Sequence, residues 1–147
     1  MVMTSKFRAL VLALALAPLG ACTTLTGGAF EGVTGSTPTR VAFEGTGGVP
    51  PAECPRFVSE IQAAARARGL TLVPADDRTA PYAMRGFLAS GQGGLTYVFD
   101  LYDRANGALA VRLDGQSTIA GADPFTAEDG RALRDVATRG IDGVQRF

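Results

Sequence analysis

The chain has no histidine, and its only lysine, Lys6, stands near the amino end. A histidine general base and a histidine metal ligand are therefore excluded, and beyond Lys6 so is a lysine Schiff base. Cysteine is scarce, with only Cys22 and Cys54. Long apolar runs are missing as well. The apolar run near the start, Ala9 to Ala17, is about half of the ~20 residues that a helix needs to cross a bilayer, so no permanent span is expected there. Charge of one sign is also lacking, since fourteen basic side chains face fourteen acidic ones. Nothing in that balance suits nucleic acid as a partner.

What the amino end does contain is an export pattern: Lys6 and Arg8, then the apolar run, then the small residues Gly20 and Ala21 before Cys22. The stretch Leu19-Gly20-Ala21-Cys22 resembles the lipobox of bacterial lipoproteins at each of its four positions. That resemblance implies cleavage between Ala21 and Cys22, a diacylglyceryl group on the Cys22 thiol, and a fatty acyl chain such as palmitate on the new amino terminus. Each buried methylene contributes about 0.8 kcal/mol, so two or three chains hold a protein firmly where one binds reversibly. Thr23, in place of the aspartate that resembles an inner-membrane retention mark, implies delivery to the outer membrane, facing the periplasm.

Without residues 1–21 the chain keeps 126 of its 147 residues, enough for one domain with a modest core. Two basic groups and no acidic ones leave with that segment, so the net charge falls from zero to −2. Lipidation of Cys22 leaves Cys54 without a partner in its own chain. Because Cys54 falls in helical step with Phe57, Val58, Ile61 and Ala65, it is expected as a small buried hydrophobe rather than in an intermolecular disulfide.

Residues 22–37, rich in Gly, Thr and Ser, read as a flexible tether with a reach of roughly 20 Å. Residues 38–147 then read as a single domain. A strand is expected over 39–44, a helix over 53–68 with Pro55 in its first turn and Gly69 as its stop, and a short strand over 70–73. Three alternating runs follow, separated by "GQGG" and "RANGA", as an antiparallel meander. A four-residue loop Gly91–Gly94 pairs Leu88 with Tyr97 and Met84 with Leu101. A three-residue loop Ala105–Gly107, with Gly107 left-handed in a bulge, pairs Leu101 with Val111 and Phe99 with Leu113. A second helix is expected over 127–145, opened by a capping box of Thr126 and Asp129. The fold class is α+β: a two-layer sandwich with two helices on one face of a mostly antiparallel sheet.

On the opposite face this register lines up Arg85, Asp100 and Arg112, with Asp114 nearby and Phe87, Val98 and Tyr102 alongside. The row is expected either to pair internally or to grip an anionic or glycan ligand, since arginine binds carboxylates and phosphates bidentately. Neither "GTGG" nor "GQGG" continues as a phosphate loop, and "DLYDRANG" lacks the alternating aspartates of a calcium loop. No cofactor or metal is expected. Ser90 and Ser117 have no base to activate them.

The leading expectation is a non-enzymatic, lipid-anchored interaction or structural module with an envelope protein as partner. The alternative is a ligand-binding module, and the weakest is a hydrolase built on Asp76 and Asp77. The layout resembles the amino-terminal domain of TolB and the small α+β domains of lipoproteins that activate peptidoglycan synthases. The whole chain is also similar to small lipoproteins of unassigned function from high-GC Gram-negative bacteria.

Overall fold

The computed structural model describes Cys22, residues 40–118 and residues 123–147. The signal residues 1–21, and the expected tether apart from Cys22, lie outside the described residues. Five strands and two α-helices follow in the order β1 (Arg40–Gly47), α1 (Cys54–Ala67), β2 (Thr71–Pro74), β3 (Tyr82–Gly91), β4 (Gly94–Asp103), β5 (Leu109–Thr118) and α2 (Arg131–Gln145), the last preceded by a 3-10 turn over Ala127–Gly130. The sheet order is β2-β1-β3-β4-β5. β1 runs parallel to both neighbours, while β3, β4 and β5 are antiparallel, so the sheet is mixed.

Both helices lie on one face, as the α+β sandwich requires. α1 buries Phe57, Val58, Ile61, Ala64 and Ala65, and α2 buries Leu133, Val136, Ala137, Ile141 and Val144. They close on the inward side chains of the sheet, Val41, Phe43, Met84, Leu88, Tyr97, Phe99 and Leu101. α2 carries two glycines that each weaken an isolated helix by about 1 kcal/mol. Here they allow close approach: a Cβ on Gly140 would stand 2.6 Å from the Phe99 ring, and one on Gly143 would stand 2.5 Å from Leu113.

The meander register agrees with expectation, with Arg85 opposite Asp100, Leu88 opposite Tyr97, Phe99 opposite Leu113 and Asp100 opposite Arg112. The turns do not: Gly91 pairs with Gly94, so the first loop is the two residues Gln92 and Gly93 instead of four, and the second loop is longer than expected. Asp103 N–H donates to Ala108 O (2.9 Å) and Gly107 N–H to Asp103 O (2.8 Å), so the loop has one residue more than expected, with Gly107 at φ 71°. The register shift at Leu101/Tyr102, where Val111 and then Leu109 are the partners, leaves Ala110 as a bulge that restores the pairing beyond it.

α2 begins later than expected. Asp129 and Gly130 adopt left-handed backbone (φ 56° and 77°), which cannot continue an α-helix. The capping box is absent: Thr126 Oγ1 donates instead to Asp123 Oδ2 (3.1 Å), and Asp123 Oδ1 accepts from Phe125 N–H (2.9 Å).

Cys54 also differs from expectation. It is half-buried and joined by a disulfide to Cys22, whose Cα lies 5.2 Å away, within the range such a bond requires. Cys22 is 2% exposed, and its N–H donates to Thr46 O (3.2 Å) at the far end of β1. In this covalent form Cys54 has a partner in its own chain. A Cys22 sulfur held in this bond cannot also carry the lipid thioether that the lipobox-like stretch leads one to expect.

Candidate interaction face

The sheet face opposite the helices is covered at one end and open at the other. Near β1 and β2 the connection 75–81 folds over it, and Ala42, Val73, Ala80 and Ala83 form a small second core. That connection is held by Asp77. Its carboxylate accepts from Thr79 N–H (2.8 Å), from the Thr79 hydroxyl (2.6 Å) and from Arg40 (2.7 Å), while Arg104 donates to the carbonyls of Asp77 and Ala75. The hydrogen bonds from Thr79, then the one from Arg40, hold the Asp77 carboxyl below the usual carboxylate range. Asp76 is exposed beside it. These partners make Asp77 a loop fastener rather than one of two carboxylates sharing a proton.

Over β3, β4 and β5 no described residue covers the face, and it holds the predicted row with one change of partner. Arg112 grips Asp100 bidentately through Nε (2.6 Å) and Nη2 (2.7 Å). This pairing, followed by a hydrogen bond from the Tyr102 hydroxyl (3.2 Å), keeps the Asp100 carboxyl low and raises the Arg112 guanidinium. Arg85 stands opposite Asp100 but reaches the other way, to Glu44 (2.7 Å), and its guanidinium lies 5.8 Å from the centre of the Tyr102 ring. Glu44 was missed in the sequence. It sits at an irregularity between Phe43 and Gly45, and only the parallel pairing of β1 with β3 brings it beside Arg85. Its outward alternation with Phe43 was the available signal.

The row therefore reads acid, base, acid, base across four strands, with each arginine matched to a carboxylate. Asp114 is exposed next to it. Phe87, 56% exposed, rises beside the row, with Val98 opposite it and Tyr102 further along, both half-buried. A hollow of about 420 Å³ opens at the side of this face, lined among others by Glu44, Arg85, Tyr102, Asp103 and Arg104. Its two acids and two bases give it no preference for an anion. A second cleft of about 330 Å³ lies at the helical end of the domain between Val41, Leu70, Leu101 and Val144, where Phe147 packs edge-on against Tyr82 with ring centres 5.5 Å apart. Its one arginine, Arg68, is held by Asp142 (2.6 Å). Among the described residues no helix is long and apolar enough to cross a membrane.

The domain so described is a two-layer α+β sandwich with a five-stranded mixed sheet. No family model and no curated protein matches the sequence. Among solved structures it is similar to TolB from Acinetobacter baumannii, at 9% identity and a TM-score of 0.54, over 76% of this chain and 28% of TolB. It is also similar to the PelC dodecamer from Paraburkholderia phytofirmans, at 17% identity and a TM-score of 0.49, over 75% of this chain and 94% of that one. Lipoprotein GNA1162 from Neisseria meningitidis matches at 6% identity and a TM-score of 0.45, over 75% and 100% of the two chains. The TolB match shows a fold in common; a fold by itself carries no activity across.

Proposed function

We propose that the chain is a lipid-anchored envelope lipoprotein, held through Cys22 in the outer membrane and facing the periplasm. Its open sheet face is a non-enzymatic docking surface for another envelope protein. The observation that carries the docking role is the composition of that face: an exposed Phe87 framed by charges that already neutralise one another, Glu44 with Arg85 and Asp100 with Arg112. Aromatic groups within a polar rim suit a protein contact. A site for a small anionic ligand needs arginine charge that no carboxylate already matches, and here Arg85 faces Glu44 and Arg112 faces Asp100. The anchor rests on the lipobox-like stretch ending at Cys22.

In the lipidated form the Cys22 sulfur is committed to the thioether, and Cys54 carries a free thiol. Mass spectrometry and thiol labelling of the membrane-extracted chain should therefore find the diacylglyceryl mass together with one reactive thiol. Cys22→Ser should move the protein to the soluble fraction, and Cys54→Ser should not. A chain with no added mass and no free thiol would end the anchor reading. For the face, a photoreactive residue at position 87 should capture one reproducible envelope protein in cells, and the same residue at Arg134 on the helical layer should not. Adducts absent at 87, or equal at both positions, would remove the docking role.

A further inference from the structure

β5 ends the sheet, ten residues long, with no described strand on its outer edge. An uncovered edge presents a row of backbone donors and acceptors to any strand that fits it. Beside this one, Val111 and Leu113 are only half-buried on the helical face, although α2 packs against Leu113 at Gly143. On the other face Arg112 and Asp114 are exposed two residues apart.

We propose that β5 pairs antiparallel with β5 of a second copy of this chain, about a two-fold axis through Leu113. A two-fold interface brings the same patch to itself, so each contact occurs twice. In this register Leu113 meets Leu113 of the second copy on the helical face, and Val111 meets Gly115. On the open face Arg112 meets Asp114. Charge selects the register. Centring the pair on residue 112 sets arginine against arginine, and centring it on 114 sets aspartate against aspartate. Only the axis through Leu113 gives opposite charges on both sides, and directly opposed like charges destabilise a strand pair.

Arg112 has donors to spare. Its guanidinium gives Nε and Nη2 to Asp100, its side chain is still 57% exposed, and an arginine carries five N–H groups. The helical layer near the same edge carries a further acid and base. Asp135 and Arg139 of α2 pair at 2.9 Å, and α2 packs on β5 at Leu113. Joining two copies in this way turns two five-stranded sheets into one continuous sheet, with the helices of both on one face and the open Phe87 surface doubled on the other.

Sedimentation equilibrium of the full chain, extracted in density-matched detergent at several detergent-to-protein ratios, tests this. A dimer independent of that ratio is expected. Asp114→Arg should raise its dissociation constant about tenfold or more, because both attractive pairs become repulsive. Gln116→Arg adds the same kind of side chain to the same edge, but directly opposite no charged residue of the second copy, and should leave the dimer nearly unchanged. Both side chains are exposed, so circular dichroism and the thermal midpoint should report an intact fold. A monomer at every concentration, a dimer indifferent to Asp114→Arg, or equal weakening by the two variants would each overturn the proposal. Loss of the partner captured at position 87 would not bear on it, since the two surfaces are tested separately.

Discussion

The two edges of the sheet are treated differently. β2 is four residues long and stops at Pro74, and the connection that follows folds over the sheet as a lid fastened by Asp77. β5 is ten residues long and carries Leu109, 47% exposed, and no described lid. Shortness, proline and a covering loop are the usual ways of keeping an edge from pairing. One end of the domain has all three. Among the described residues, then, the sheet is closed off at its β2 end and uncovered at its β5 end, and the surfaces proposed for contact lie over β3, β4 and β5.

The largest effect should come from the layer that holds β4 and β5 in place. Gly140→Val puts side-chain atoms where Phe99 already stands and should destabilise the fold by about 2–3 kcal/mol in chemical denaturation. A gain in stability, as helix propensity alone would predict, would show that α2 does not rest on the sheet at this point.

A smaller contrast separates the edges directly. Val73 is 6% exposed under the lid and Leu113 is half-buried at the seam. Val73→Ala should cost about 1.5–2 kcal/mol, and Leu113→Ala, although it removes more atoms, about 1 kcal/mol in the dissociated chain. Equal or reversed costs would mean that the closed-off and the uncovered end have been confused.

The weakest lever is acid. The Asp77 and Asp100 carboxyls are held low when folded, so their contribution is present above the ordinary carboxylate range. It is lost as the pH falls through about 4 and below. The thermal midpoint should drop on going from neutral pH into that range. Thr79→Ala, which removes the hydroxyl bonded to Asp77, should make the drop shallower. An unchanged pH profile would show that the lid is not fastened through that carboxylate.

Much of this was readable along the chain. The meander register followed from strict alternation, because a one-residue slip would have exposed Phe99 and Leu101 while burying Asp100. Position within the chain was harder to read. The second turn was misjudged because a three-residue loop, or a four-residue loop plus a bulge at Ala110, leads to the same pairing of Phe99 with Leu113. The start of α2 was misjudged because the left-handed backbone at Asp129 and Gly130 leaves no mark in the pattern of apolar residues. Glu44 carried a signal in its outward alternation with Phe43, but its partner Arg85 depends on β1 lying beside β3, a strand distant in sequence.

By itself, then, the amino-acid sequence determined the local periodicities, the two amphipathic helices, the hairpin register and the row of Arg85, Asp100 and Arg112, since each rests on neighbours a few residues apart or on a single turn. The tertiary structure alone decided that β1 lies between β2 and β3. That placement gave Arg85 to Glu44. Parallel neighbours are joined through long crossovers whose ends meet only when the core closes, and no short-range pattern encodes which strands will meet there.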